Sequence, residues 1–137
     1  VKTYQEGKFK DMILIYGGAY NGKNEFVKKK YNLEDKELFY CNDSNLDFSY
    51  KGIIGLHIFI KGCILINMDA LEIIKQNLDN LQDNIIVCDE IGSGIVPLDR
   101  KDRLWREECG RVLQFLSQNS NKVCRIFFGL EEVLKDE

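Results

Sequence analysis

Apolar residues fall along this chain in short runs, separated by polar stretches with helical spacing. Met12–Tyr16 reads as a first strand, and roughly Gly22–Tyr31 as the helix that follows it. Glu37–Cys41 (ELFYC) is a second short apolar run of strand type, and Asn42–Asp47 is a polar loop rich in Asn and Asp. Ser49–Lys61 carries two periodicities at once. Ile53, Ile54, His57, Ile58 and Lys61 recur at helical spacing, whereas Leu56, Ile58 and Ile60 alternate as in a strand. The reading adopted is a helix, weakened by Gly52 and Gly55. Cys63–Asn67 (CILIN) reads as a buried strand, and Asp69 as the N-cap of a helix running to about Leu78. Ile85–Asp89 (IIVCD) is another strand. Asp99–Gln118 carries a long helical pattern, with Leu104, Gly110, Leu113 and Leu116 in its apolar set. Val123–Phe128 is the final strand, before a short C-terminal helix.

Strands that alternate with helices, most of them continuously apolar, predict an α/β fold: a mainly parallel sheet of about five strands, covered on both faces. Ligands in such sheets sit outside the carboxyl ends of the strands. At that edge the loop at Gly17, Asn67, Asp89–Glu90 and Gly129 would meet.

The chemistry concentrates between Met12 and Val27, MILIYGGAYNGKNEFV. Gly17, Gly22, Lys23 and Asn24 give G-x-x-x-x-G-K-N between strand and helix, which is a phosphate-binding loop with an altered last position. Its glycines let backbone N–H groups curl round phosphate oxygens, and Lys23 reaches the β- and γ-phosphates at the helix N-terminus. A Ser or Thr ordinarily holds Mg²⁺ at the last position; Asn24 offers a neutral carbonyl on a longer arm. The competing reading is a glycine-rich turn that binds nothing, but strand, loop and helix signals fall in the order phosphate binding needs.

Composition narrows the remaining classes. The 137 residues are 45% hydrophobic, enough for one domain with a core over residues 12–137. Residues 1–11 are polar and unpatterned and Met12 resembles a natural start, so they read as an N-terminal extension, disordered or left over from cloning. A net charge of −3 with no dense basic run argues against a nucleic-acid partner. The basic run Lys28–Lys30 suits the last turn of the first helix. No apolar run is long enough to span a bilayer. The five cysteines are odd in number and never closely spaced, so they read as buried thiols of a cytoplasmic protein and not as a disulfide or zinc framework.

A second block, Asp89–Gln114 (DEIGSGIVPLDRKDRLWREECGRVLQ), closely resembles the E-V-G-x-G-I-V-P … R-x-[FW]-R-[DE]-x-x-G-R-x-x-Q signature of the bifunctional adenosylcobinamide kinase / adenosylcobinamide-phosphate guanylyltransferase family. Gly17-Gly18-Ala19-Tyr20-Asn21-Gly22-Lys23-Asn24 resembles that family's G-G-A-x-S-G-K-S loop, and Gly129-Leu130 lies where the family has A-G-L-P. The resemblance implies a P-loop, RecA-like three-layer fold. It also implies phosphorylation of adenosylcobinamide, then GMP transfer from GTP through a guanylyl-histidine, in a homo-oligomer such as a trimer. The cofactors it implies are GTP or ATP and Mg²⁺. Lys23, His57 and Glu90 would be catalytic, and Gly92 and Arg111 would join the eight loop residues in holding nucleotide. The family's H-x-x-x-R falls best on His57–Lys61, so His57 would carry the guanylyl group with Lys61 in place of Arg. The family's D-C-L-T falls on Asn67–Ala70, so Asn67 replaces an acid associated with Mg²⁺. Asn24 and Asp89 are then the candidate metal ligands, with Asp89 in the position of a Walker-B acid.

Alternatives stand beside several of these roles. Asp89 and Glu90 could be solvated caps at a strand end, and His57 a hydrogen-bonded core or interface histidine among apolar neighbours. Arg103 and Arg106 share a helical face and suit phosphate binding, or lie on a solvated helix. Trp105 reads as packing. Gly92, Gly94 and Pro97 shape the loop after the Ile85–Asp89 strand. For the whole chain, the alternative to a cobinamide kinase is a catalytically degenerate relative that binds nucleotide or corrinoid.

Overall fold

The computed structural model describes residues 11–19, 21–91 and 99–137. Six strands form one sheet in the order β2-β3-β4-β1-β5-β6. β1 (Ile13–Gly17), β2 (Leu38–Tyr40), β3 (Gly52–Ile54), β4 (Ile85–Asp89) and β5 (Lys122–Phe127) are mutually parallel, and β6 (Leu130–Asp136) runs antiparallel to β5. Helix α1 (Lys23–Lys30) covers one face. Helices α2 (Leu56–Leu65), α3 (Ala70–Gln76), α4 (Leu78–Leu81) and α5 (Arg100–Asn119) contribute to the core on the other face.

Alternation along the strands assigns the two cores. Leu14, Ile86, Cys88 and Val123 pack with Phe59, Cys63, Val112 and Leu116 beneath the larger helical layer. Their neighbours Ile15, Ile85, Val87, Cys124 and Ile126 pack with Val27 of α1. Because both faces are covered, these strands read as unbroken apolar runs. Each fully buried aliphatic side chain contributes about 1.5–3 kcal/mol.

The expected three-layer α/β arrangement is present, and three elements depart from the sequence reading. Cys63–Asn67 is not a strand: Cys63–Leu65 forms the end of α2, and Leu65 and Ile66 face solvent. The strand lies earlier, at Gly52–Ile54, and Gly55 in the left-handed region (φ 81°) turns the chain directly into α2. An apolar run from Ile53 to Ile66 contains both elements, and periodicity alone cannot divide it. Asn67 therefore follows a helix in left-handed backbone (φ 57°), and does not end a strand beside the phosphate loop.

The C-terminal helix is also replaced by a strand, β6, which adds a sixth strand to the sheet. Its residues have fair helix propensity, but pairing from Phe127↔Leu130 to Lys122↔Asp136 overrides it. Phe128 and Gly129 form the two-residue connection, both at positive φ (51° and 76°), the backbone a tight hairpin demands. Phenylalanine there costs about 1–2 kcal/mol in backbone strain.

Finally, the buried stripe of α5 is Cys109, Val112 and Leu116. Leu104 and Gly110 are exposed and Leu113 is half-buried. The Asp69 cap expected from the sequence is formed, and the structure adds one at Asp99. Asp69 accepts the Glu72 N–H, and Asp99 accepts the N–H groups of Lys101 and Asp102. Among the described residues no helix is long and apolar enough to cross a membrane.

Candidate functional site

Parallel pairing of β1 with β4 and β5 brings the carboxyl end of β1 between two others. Gly17 is squeezed there, since a Cβ on it would collide with the Ile126 carbonyl oxygen. The chain leaves β1 through Gly18 and Ala19 and enters α1 at Gly22, which has a positive φ of 83°. The Gly17 carbonyl accepts the Glu90 N–H at 2.7 Å, and the Asn21 carbonyl accepts the Gly129 N–H at 2.9 Å. The loop is thus pinned on one side to the end of β4 and on the other to the β5–β6 turn.

Lys23 opens α1 and is almost wholly buried, at 6% exposure. Its Nζ donates to the Gly18 carbonyl at 2.7 Å and lies 2.7 Å from Asp89 Oδ1. The other carboxylate oxygen, Oδ2, lies 3.3 Å from His57 Nε2. The Asp89 backbone N–H donates to His57 Nδ1 at 3.1 Å. This pattern fixes a neutral imidazole with its proton on Nε2, facing the carboxylate. Burial pushes the imidazole pKa below its ordinary value; Asp89 pulls it up, and Lys23 adds to the lowering. Two further contacts hold the His57 backbone and ring: the Trp105 indole N–H donates to the His57 carbonyl at 2.7 Å, and the two rings lie 6.4 Å apart. Lys61 sits over that indole, its ammonium 4.8 Å from the ring centroid.

These groups border a cleft of ≈ 510 Å³ lined by Ala19, Gly22, Lys23, Asn24, His57 and Asp89 on its polar side, with Tyr40, Ile54, Ile58 and Val87 among the apolar residues. Its size and mixed lining suit a small ligand. The structure therefore gathers Lys23, Asn24, His57 and Asp89 in one place. Glu90 points elsewhere: its Oε2 pairs with Arg125 Nη2 at 3.1 Å. Arg111 lies on an exposed part of α5 and pairs with Glu107 and Glu108. Neither Glu90 nor Arg111 lines the cleft. Tyr20, Gly92, Gly94 and Pro97 lie outside the described residues. The sequence reading missed Tyr40, Gly55 and Ile58 as lining residues, and missed the role of Trp105 as the anchor of His57. A β3 strand ending at Gly55 would have exposed the first three, because ligands collect at strand ends.

A Mg²⁺ ion carried on nucleotide phosphates makes a modest demand on the protein. Such an ion takes one or two protein oxygens and completes its shell with phosphate and water. Asp89 and Asn24 line the cleft and offer oxygens of that kind, with the Asp89 carboxylate already engaged by Lys23 and His57.

No individually curated protein matches the chain. Residues 64–134, just over half of its length, match the family described as cobinamide kinase / cobinamide phosphate guanyltransferase. That span runs from the end of α2 to β6, and includes the Asp89–Gln114 block and the hairpin that meets the phosphate loop. With a P-loop family's sheet and a family match across its second half, the chain belongs to the cobinamide kinase / cobinamide phosphate guanyltransferase family.

Proposed function

We propose that this chain binds a purine nucleoside triphosphate on the Gly17–Asn24 loop and passes its terminal phosphoryl group to the hydroxyl of adenosylcobinamide, a step of cobalamin biosynthesis. The observation that carries this reading is the buried Lys23 ammonium at a helix N-terminus, beside a strand-end carboxylate and facing an open cleft. In the reaction the bond between the terminal phosphorus and its bridging oxygen breaks. A bond to the acceptor oxygen forms, and the hydroxyl proton passes to solvent. Such a transfer is governed by positioning and by neutralising phosphate charge. Lys23 supplies one positive charge at the transferred group. When bound, Mg²⁺ held by Asp89 and Asn24 would neutralise more. His57 orients Asp89, and the apolar wall of Ile54, Ile58 and Val87 limits water around the acceptor.

The kinase half-reaction is favoured over GMP transfer. A guanylyl acceptor needs a free imidazole lone pair, yet Nδ1 accepts the Asp89 N–H and Nε2 carries the proton facing the carboxylate. A second reading, a relative that binds nucleotide or corrinoid without turnover, draws on Asn24 and on Gly55, which leaves the end of β3 without a carboxylate. Calorimetric titration with GTP and ATP, with and without Mg²⁺, tests the proposal, followed by turnover of adenosylcobinamide. Binding strengthened by Mg²⁺ and turnover lost in Lys23→Ala are expected. Nucleotide binding without turnover would establish the second reading. A GMP adduct detected by intact mass, absent in His57→Asn, would restore the transferase step.

A further inference from the structure

The nucleotide needs somewhere to put its base, and the cleft is on the wrong side. In phosphoryl transfer the attacking and leaving oxygens are roughly in line, on opposite sides of the phosphorus. An acceptor hydroxyl entering through the cleft, on the β2–β3 side of Lys23, therefore requires the leaving diphosphate and its nucleoside to extend the other way. That direction leads from the loop towards the β5–β6 hairpin, whose tip is bonded to the loop itself through Gly129 N–H and the Asn21 carbonyl.

The tip carries two phenylalanines in mutual edge contact, with ring centroids 4.5 Å apart and exposures of 51% for Phe127 and 77% for Phe128. Arg125 steadies the first ring, its guanidinium 5.8 Å from the Phe127 centroid and its charge paired with Glu90. Phe128 is the more telling residue. A two-residue hairpin of this geometry favours Asn-Gly, yet a bulky aromatic sits at φ 51° with most of its surface in water. Neither the core nor the turn calls for phenylalanine, and a strained, exposed side chain beside a binding loop points to a ligand.

We propose that Phe127 and Phe128 form the stacking platform for the purine base of the nucleotide whose phosphates lie on the Gly17–Asn24 loop. The proposal rests on the nucleotide reading above. Stacking tolerates either purine, so the tip gives affinity for ATP and GTP alike.

The test compares binding of GTP, ATP and inorganic tripolyphosphate to the wild-type chain and to Phe127→Ala, Phe128→Ala and Phe128→Asn. The expected result is a 5- to 100-fold loss of affinity for both nucleotides, about the range of one stacked base, with tripolyphosphate affinity unchanged. Phe128→Asn should do this while melting at the same temperature or higher, which a merely structural role would not produce. Wild-type nucleotide affinity in all three variants overturns the platform alone. A change of oligomeric state in place of affinity also overturns it, and assigns the aromatic tip to contact between copies. Failure of the wild type to bind any of the three ligands overturns the phosphate reading as well.

Discussion

The two flanks of the phosphate loop are built on opposite principles. On the β4 side, polar groups are buried or half-buried and mutually satisfied: Lys23 with Gly18 and Asp89, Asp89 with His57, and His57 with Trp105 through its carbonyl. On the β5–β6 side, two aromatic rings stand in solvent over a strained turn. Buried charge demands partners, so the first flank is held in one arrangement before any ligand arrives. The second flank pays no such desolvation cost and needs none of that wiring. On the proposed reading, the first flank meets phosphate charge and the second meets the face of a base.

The largest way to break this contrast is Lys23→Ala. It removes the cation from the wired flank and leaves Asp89 with only His57, so affinity for nucleotide and for tripolyphosphate should both fall about 10- to 150-fold, as for loss of a charged hydrogen bond. Calorimetry with each ligand checks it; a loss confined to nucleotide would relocate the phosphate site.

Asp89→Asn sharpens the contrast with two effects of opposite sign. Freed from its 2.7 Å ion pair, Lys23 should bind tripolyphosphate a few-fold more tightly without Mg²⁺. The strengthening produced by Mg²⁺ should disappear, because the carboxylate proposed to hold the ion is gone. If Mg²⁺ dependence survives, Asp89 is not its ligand.

Gly17→Ala tests the loop's seat between the flanks. The added methyl meets the Ile126 carbonyl, and overpacking of this kind costs about 1–3 kcal/mol, measurable as a lower denaturant midpoint.

The smallest effect concerns the body both flanks share. Burial pushes all five thiols up, to about 12 for Cys41 and Cys109, about 11 for Cys63 and Cys124, and well above the usual range for Cys88. Burial raises the Tyr16 and Tyr31 hydroxyls as well. An unfolded chain would ionise its thiols first, near the unperturbed value of 9.0. Their contribution to stability is therefore complete below about pH 9 and is lost as pH climbs towards 12. Denaturant midpoints should fall progressively across that window, and native thiols should label slowly until the protein unfolds.

How much of this was legible depended on whether the deciding interaction was local. The strand, glycine turn and helix of Met12–Val27 were readable because their signals are contiguous. The Asp69 cap was readable because a cap acts within three residues. The boundary inside Ile53–Ile66 was not, since Gly55 decides it through backbone conformation while the apolar pattern continues across it. β6 was hidden because its partner strand, not its own propensity, determines it. Within the site, Asp89 could be seen as a strand-end acid. Its joint engagement by Lys23 and His57 could not, because residues 23, 57 and 89 meet only once β1, β3 and β4 are in register.

That last dependence has a consequence for the order of events in folding. β1 pairs with no strand close to it in sequence; Ile13 lies against Ile85 on one side and Lys122 on the other. Contacts of such separation form slowly, because the entropy of closing the intervening chain must be met first. During synthesis, the glycine loop leaves the ribosome before its two anchors, the Glu90 N–H and the Gly129 N–H. Until residue 129 has been made, the loop lacks the second of the two contacts that pin it, and its shape waits on the far end of the sheet.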